Sequence, residues 1–245
     1  QVKFVAAEPH QCGEMAGLAI GIACAGMVFR RKGSFRHRCH KWMRQGEFMV
    51  RYGLVGSGMM GVEHIHNLAI TPGAVVTALA DPVDASLGWA KAALGDAADQ
   101  VKSFSSAAEL AGSGLVDAVI VASPNYTHRS VLEPLLDAGL HILCEKPLAT
   151  RIEDARWISD RVKSHPAVFW TAMEYRYMPP AAAFIEQVHA ERIGRLQMLS
   201  IREHRFPFLV KVGDWNRFSA NTGGTMVEKC CHFFDLMRLI TQSEP

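Results

Sequence analysis

Residues 51–61 read RYGLVGSGMMG, and this stretch decides the fold. Its first half, Arg51–Gly56, is a short apolar run that predicts a β-strand, and Met59–Ile70 carries apolar side chains at helical spacing. The glycines between and just inside them fit G-x-G-x-x-G. In this pattern the first glycine permits a tight turn, the second lets backbone amides approach a pyrophosphate, and the third lets the helix pack closely on the strand. The stretch therefore predicts a dinucleotide-binding turn.

A carboxylate further along the chain supports this interpretation. Val75–Asp81 (VVTALAD) predicts the second strand, and Asp81 ends it 20 residues after Gly61. A carboxylate there can accept hydrogen bonds from the adenosine ribose hydroxyls and would repel a 2′-phosphate. We therefore expect NAD rather than NADP. The alternative is an ordinary strand-to-helix turn with a solvated aspartate.

Outward from this stretch, predicted strands and helices alternate as far as residue 173. Alternation with short connections is typical of a parallel sheet covered by helices on both faces. We therefore expect an α/β, doubly wound (Rossmann) domain at residues 49–174. The other strands are predicted at Val101–Phe104, Val116–Ala122, His141–Cys144 and Val168–Met173, and the other helices at Ala85–Leu94, from the cap Ser105 to Leu110, at Thr127–Ala138 and at Ile152–Lys163.

The pattern changes after residue 174. A helix is predicted at Ala181–Ala190, and Leu196–Phe206 (LQMLSIREHRF) then alternates polar and apolar residues, as a strand of an antiparallel sheet does. A last helix is predicted at Thr225–Ile240. One strand cannot form a stable sheet alone. We therefore expect residues 175–245 to be the start of an incomplete α+β domain for substrate binding and dimerisation, and the full-length form to be a homo-oligomer.

Residues 1–48 differ from the rest in charge. They carry eight basic and three acidic residues, which leaves 18 basic and 21 acidic residues for positions 49–245, although the whole chain has a net charge of +2. A slightly acidic globular part argues against nucleic-acid binding. The apolar run Met15–Phe29 is short for a membrane span, and its basic residues follow it, unlike those of a secretory signal. We expect a non-native or disordered extension, with a marginal membrane anchor as the alternative, and no membrane contact for residues 49–245.

The six cysteines indicate a reducing environment. They contain no C-x-x-C pair and no regular spacing, which argues against a disulfide framework and a structural zinc site. We therefore expect a cytoplasmic protein without a bound metal. The cysteines are Cys12, Cys24, Cys39, Cys144, Cys230 and Cys231.

Several motifs occur in the order seen in the Gfo/Idh/MocA oxidoreductases, a family that includes inositol dehydrogenases and glucose-fructose oxidoreductase. They are Gly56–Gly61, Asp81, Ser123-Pro124-Asn125 with His128, Glu145-Lys146-Pro147, Tyr175-Arg176 and Gly223–Asp235. The chain resembles this family over about residues 50–241. The resemblance implies that Lys146 lies beside the nicotinamide and the substrate hydroxyl, and that a cis peptide bond precedes Pro147. The cofactor-binding residues we expect are Gly56, Ser57, Gly58, Met59, Met60, Gly61, Asp81, Ser123, Pro124, Asn125, His128, Glu145 and Lys146.

The chemistry of alcohol oxidation selects the candidate catalytic residues. The hydroxyl must lose a proton as hydride leaves carbon, so a base and a nearby cation are both useful. His232 is the candidate base, because the pKa of histidine is ordinarily about 6.5, close to working pH, and Lys146 is the candidate cation. Glu228 is the third candidate and would orient His232 or bind a substrate hydroxyl. The family pattern at this point is D-x-x-x-H, however, and this chain has Glu228 instead of aspartate.

The remaining polar residues near these motifs have competing interpretations. Tyr175 and Arg176 stand at the junction of the two predicted domains, where they contact substrate or cofactor or else pack as a hinge. We expect His64, His66 and Lys229 to be solvated, and Cys230 and Cys231 to be core thiols. The substrate-binding residues we expect are Lys146, Tyr175, Arg176, Glu228 and His232.

Together these features predict an NAD-dependent oxidoreductase. It would transfer a hydride between nicotinamide and a secondary hydroxyl or keto group of a sugar, cyclitol or related polyol. One alternative is a glycoside hydrolase that uses tightly held NAD for transient oxidation. Another is a non-enzymatic regulator that keeps the dinucleotide fold.

Overall fold

The computed structural model describes residues 49–204 and 211–244. The extension 1–48 with its apolar run Met15–Phe29, the end of the predicted strand Leu196–Phe206, and residue 245 lie outside the described residues.

The described part contains a six-stranded, wholly parallel sheet in the order β3-β2-β1-β4-β5-β6. The doubly wound Rossmann prediction is therefore confirmed. β4 is buried along its whole length, as expected for a β-branched apolar run at the centre of a sheet. The strands are β1 Val50–Val55, β2 Ala74–Ala80, β3 Lys102–Phe104, β4 Ala118–Val121, β5 His141–Glu145 and β6 Phe169–Ala172.

Helices cover both faces of the sheet. One face packs on α1 Met59–Ala69 and α2 Asp84–Leu94 through a core that includes Ile65, Leu68 and Ala90. The other face packs on α3 Ala107–Gly112, α4 His128–Asp137 and α5 Ile152–Lys163 through the core cluster that includes Leu110, Leu132 and Ile158. Because β1 leads to a helix on one face and β4 to a helix on the other, a crevice opens between the carboxyl ends of these two strands.

One predicted cap is displaced by a residue. The residue that caps α3 is Ser106, whose side chain accepts a hydrogen bond from the backbone N–H of Glu109, and not Ser105. Ser105 instead donates to the Glu109 carboxylate from both its backbone N–H and its hydroxyl. The two serines and Glu109 thus supply hydrogen-bond partners for each other's backbone N–H groups at the start of α3.

All the regular elements described in the second part of the chain are helices. Its helices are α6 Pro179–His189, α7 Ser219–Thr222, α8 Thr225–Glu228 and α9 Cys231–Thr241. Residues 196–204 form no strand, so the predicted antiparallel sheet is absent from the described residues. A strand needs a partner to satisfy its backbone groups, and residues 49–204 and 211–244 provide none at this point. Leu196, Leu199 and Ile201 pack against the α6–α9 core instead.

The predicted last helix is broken into α8 and α9. The backbone N–H groups of Lys229 and Cys230 both donate to the carbonyl of Thr225, which closes the turn, and a new helix begins at Cys231. Glu228 and His232 therefore lie on separate helices, and the prediction of one helix at Thr225–Ile240 is wrong. In the described part of the chain, no helix is long and apolar enough to span a bilayer.

Candidate active site

Two of the three glycines in the G-x-G-x-x-G turn have no room for a Cβ atom. Gly56 follows β1 with φ +93°, and a Cβ there would lie 2.3 Å from the backbone N of Ser123, in the loop after β4. A Cβ on Gly61 would lie 2.3 Å from the carbonyl oxygen of Gly56, so α1 packs directly on the turn. A Cβ on Gly58, in contrast, would meet no protein atom within 4 Å. The turn therefore packs tightly against the backbone at Gly56 and Gly61, and it leaves free space at Gly58.

The turn has the features that a pyrophosphate needs. Gly58 is the N-cap of α1 and makes no side-chain cap, so the first amides of the helix are available to an anion. The hydroxyl of Ser57 is buried and has no hydrogen-bond partner. Met59, the first residue of α1, is exposed, and Met60, the second, is half-buried. The residues present therefore fit a dinucleotide at this turn.

Asp81 is attached to this turn. One carboxylate oxygen accepts a hydrogen bond from the Ser57 N–H at 2.7 Å, and the other accepts from the Val83 N–H at 2.8 Å. Each carboxylate oxygen has two lone pairs, so both retain the capacity to accept ribose hydroxyls. Asp81 thus fixes the turn as well as offering a ribose contact, a structural role that the sequence pattern did not indicate.

The loop after β4 contains the predicted Ser123-Pro124-Asn125 motif. The Ser123 hydroxyl accepts a hydrogen bond from Thr127, and the buried Asn125 amide nitrogen has no partner. His128 is fully buried, and its ring nitrogens face the backbone carbonyls of Ser123 and Leu148 at 3.2 and 3.3 Å. Burial lowers the pKa of His128, against the opposing effect of these carbonyls. The imidazole therefore joins the loops that follow β4 and β5.

Glu145 ends β5 and carries a buried carboxylate. One of its oxygens lies 2.8 Å from Nε2 of His64 on α1, and the other accepts from the N–H of Lys146 at 3.2 Å. Burial alone would raise the pKa of Glu145, but the contacts with His64 and Lys146 outweigh it and lower the pKa. The prediction that His64 is solvated is wrong, because this contact holds it inside; His66 is exposed, as expected.

Lys146 reaches from the first domain to the second. The peptide bond between Lys146 and Pro147 is cis, as the family resemblance implied. The Lys146 ammonium lies 3.5 Å from the backbone carbonyl oxygen of Glu228, at the end of α8. Burial raises the pKa of the Glu228 carboxyl, and the charges of Lys146 and Lys211 oppose that rise. The structure thus brings Lys146 and Glu228 together.

His232 lies in the same cluster but is enclosed. Its side chain is 1% exposed, its ring stacks on Tyr175 with centroids 4.1 Å apart, and its Nε2 atom lies 3.4 Å from Oε1 of Glu174. Burial, reinforced by the charges of Lys146 and Lys229, lowers the pKa of His232 to about 3. The pKa of His232 therefore lies below the ordinary value of histidine, and the imidazole is neutral at neutral pH. The Lys146 ammonium contacts the carbonyl of Glu228, four residues before His232, so both groups lie at the break between α8 and α9.

Lys229 also belongs to this cluster, although it was expected to be solvated. It is buried rather than solvated: its ammonium pairs with Glu203 at 2.7 Å and donates to the Tyr175 hydroxyl. Lys229 lies in the turn between α8 and α9, and its side chain points inward. The prediction of one continuous helix did not indicate this burial. Glu174 was also missed, because a lone glutamate after a strand carries no sequence signal.

Tyr175 and Arg176 have distinct roles. Tyr175 covers the ring of His232, whereas the guanidinium of Arg176 donates to both carboxylate oxygens of Asp235 on α9. A bidentate pair of this kind fixes geometry. Arg176 therefore joins the segment after β6 to α9, which agrees with the hinge interpretation. Cys230 and Cys231 are half-buried.

A cavity of about 330 Å³ lies between α1 and the 3-10 turn Glu174–Tyr177. Three carboxylates and one imidazole line it, together with Met60, Asn67, Trp170, Ala172, Tyr177 and Met178; the four are Glu63, Glu145, Glu174 and His64. Among the described residues, no group of three or more histidine, cysteine, aspartate or glutamate side chains could hold a metal ion. The carboxylates and the imidazole that line the cavity can accept and donate protons.

Comparisons with known proteins identify the family to which both parts of the chain are similar. Residues 50–173 match "Oxidoreductase family, NAD-binding Rossmann fold", and residues 185–245 match "Oxidoreductase family, C-terminal alpha/beta domain". The rhizopine catabolism protein MocA of Rhizobium meliloti is 32% identical over 205 residues, which are 80% of this chain and 58% of that protein. Inositol 2-dehydrogenase 1 of Saccharopolyspora erythraea is 39% identical over 105 residues, 43% of this chain and 31% of that protein.

A solved structure is similar over the same region. The myo-inositol dehydrogenase of Lactobacillus casei, in complex with NAD(H) and myo-inositol, superposes with a TM-score of 0.62 at 25% identity, over 80% of this chain and 55% of that one. Three curated relatives each match 80% of this chain. The chain covers only 56% to 58% of the length of those relatives. Since both of its parts match the two domains of one family, this chain belongs to the Gfo/Idh/MocA oxidoreductases.

Proposed function

We propose that this protein is an NAD-dependent dehydrogenase acting on a secondary hydroxyl group of a cyclitol, sugar or related polyol. The observation that supports the proposal is that the Lys146 ammonium, just after β5, lies 3.5 Å from the Glu228 carbonyl oxygen, four residues before His232. Bound NAD would accept the hydride that leaves the substrate carbon. The named relatives, which include inositol dehydrogenases, support a cyclitol as the first substrate to test.

The chain's own residues would perform three tasks. The turn at Gly56–Gly61 and the Asp81 carboxylate would hold the dinucleotide. The negative charge of Asp81 favours NAD over NADP, because it repels a 2′-phosphate. The Lys146 ammonium would stabilise negative charge that develops on the substrate oxygen. The neutral imidazole of His232 would accept the hydroxyl proton, because only the unprotonated ring has a free lone pair.

The test is NADH formation, followed at 340 nm, with NAD and a panel of inositols, sugars and polyols. We expect Lys146→Met to reduce kcat by about 10²- to 10⁴-fold, the usual contribution of such groups, with NAD affinity nearly unchanged. Lys102→Met, at the exposed first position of β3, is the matched control and should retain full activity. Intact NAD binding without turnover of any polyol would contradict the proposal, as would a Lys146→Met variant that loses NAD affinity but keeps its turnover.

A further inference from the structure

Residues 211–228 of the second domain lie across the carboxyl ends of β4 and β5. The ring of Trp215 meets the ring of Tyr126, in the loop after β4, edge to face with centroids 6.4 Å apart. A Cβ on Gly223 would lie 3.1 Å from the backbone carbonyl oxygen of Thr150, in the loop after β5. Open α/β sheets bind their ligands outside the carboxyl ends of the strands. This segment therefore forms one wall of the crevice in which the proposed substrate would lie.

Lys211 stands at the start of this wall and carries an ammonium group without a counter-ion. The ammonium lies 5.1 Å from the centre of the Trp215 ring, a distance at which a cation and an aromatic face attract each other. Lys211 is half-buried. Within residues 49–204 and 211–244, its ammonium makes no ion pair and no hydrogen bond. Because a partly buried charge without a partner costs free energy, this position is suited to an anion from outside the chain.

The charges around Lys211 also favour an added anion. Burial lowers the pKa of Lys211 and the charge of Lys146 adds to the fall, against the opposing charges of Glu228 and Glu145. The Glu145 carboxylate is occupied elsewhere, because one oxygen lies 2.8 Å from Nε2 of His64 and the other accepts from the Lys146 N–H. The two ammonium groups repel each other, and a bound anion would offset this repulsion.

We infer that Lys211 determines substrate specificity and that the substrate carries an anionic group, a carboxylate or a phosphate, besides the hydroxyl group that is oxidised. This inference rests on the proposed function, and it selects the acidic members from the sugars and polyols named there. Lys146 would face the reacting oxygen, and Lys211 would bind the anionic group. Lys211 takes no part in the transfer of the hydride or of the proton.

An unpaired ammonium distinguishes a charged substrate from a neutral one. An anionic substrate would give Lys211 a charge-assisted hydrogen bond, which is stronger than a hydrogen bond between neutral groups. A neutral polyol of the same size would leave the ammonium unpaired and partly desolvated. The ammonium is a compact charge with three donors, so it can bind the oxygens of a carboxylate or of a phosphate. The preference therefore follows from the negative charge rather than from the type of acid.

The experiment measures, by calorimetric titration, the binding of matched neutral and anionic compounds to the NADH-loaded full chain. The probes are glucose with glucuronate and glucose 6-phosphate, and myo-inositol with myo-inositol 1-phosphate. We expect at least one anionic probe to bind about 10-fold or more tightly than its neutral partner at low ionic strength, and this preference to fall as salt is added. Lys211→Met should remove the preference, and Lys211→Arg, which keeps the charge, should retain most of it. Lys91→Met, at an exposed position of α2, is the control.

Three results would overturn the inference. They are the absence of an anionic preference in every matched set, an unchanged preference in Lys211→Met, and a loss of NADH affinity in Lys211→Met, which would assign the ammonium to the cofactor. If Lys211→Met does not fold, Lys211→Gln takes its place, and a wild-type preference that salt does not reduce would overturn the inference without any variant.

Turnover of the same probes with NAD separates this inference from the proposed function. NADH formation from neutral polyols alone, at a rate that Lys211→Met does not change, would leave the proposed function intact and overturn the inference. Oxidation of no probe, together with an anionic preference that depends on Lys211, would contradict the proposed function and still support an anion site at Lys211.

Discussion

The Nε2 atom of His64 lies 2.8 Å from a carboxylate oxygen of Glu145. His64 is on α1, the helix that begins at the glycine turn, and Glu145 immediately precedes Lys146. A buried contact therefore joins the element that would hold the dinucleotide to the residue that carries the candidate cation. The position of Lys146 depends on α1 through this contact.

Removing this contact should destabilise the fold. His64→Leu leaves the buried Glu145 carboxylate without its partner, and we expect a loss of about 2 kcal/mol in the free energy of unfolding, measured by urea denaturation. His66→Leu makes the same change on the exposed side of α1 and should alter stability by less than about 0.5 kcal/mol. Equal effects of the two substitutions would contradict a special role for His64.

The same contact predicts the response to acid. The pKa of Glu145 is lowered in the folded protein from an ordinary value of 4.5. Its stabilising contribution is therefore present above pH 4.5 and is lost as the pH falls through the folded-state pKa. In His64→Leu the pKa of Glu145 should rise, because burial then dominates. We expect the stability of the wild type, measured from pH 6 to pH 3, to fall more steeply than that of His64→Leu; parallel curves would contradict the assignment.

The glycines of the turn should respond differently to a methyl group. Gly58 has φ −73° and open space at its Cβ position, so Gly58→Ala should fold normally but lose at least about 10-fold in NAD affinity, because the backbone could no longer approach the pyrophosphate. Gly56→Ala would meet the Ser123 backbone at 2.3 Å with φ +93° and should cost about 3 kcal/mol of stability. Thermal unfolding and calorimetric titration with NAD measure both effects. Unchanged NAD affinity in Gly58→Ala would refute the assignment of this turn.

Cofactor preference should depend on the charge of Asp81. In Asp81→Asn the amide oxygen can still accept from Ser57, so the turn is retained while the negative charge is lost. We expect the ratio of NADP to NAD affinity, measured by fluorescence titration, to rise by about 10-fold, equivalent to about 1.4 kcal/mol. Asp84→Asn, in the exposed first turn of α2, should leave the ratio unchanged. An unaltered ratio in Asp81→Asn would mean that Asp81 serves only to fix the turn.

The sheet could be predicted because its signals are local. Each strand of the first domain is an apolar run bounded by turn residues, and the glycine turn followed from a contiguous motif. The cis bond at Pro147 followed from the family resemblance. The second domain was predicted less well, since Leu196–Phe206 alternates like a strand but pairing depends on a partner elsewhere in the chain. Periodicity likewise suggested one helix at Thr225–Ile240 and gave no sign of the turn at Lys229 and Cys230.

The amino-acid sequence by itself predicted the parallel sheet and the glycine turn, because these depend on local periodicity and on residue types at short spacing, and it named the candidate reacting groups through its motifs. Tertiary structure alone decided the surroundings of those groups: His64 against Glu145, Lys229 against Glu203, and Glu174 against His232. These pairs join residues that are 81, 26 and 58 positions apart. Burial and neighbouring charge set the pKa of His232, and both arise only when distant segments pack together.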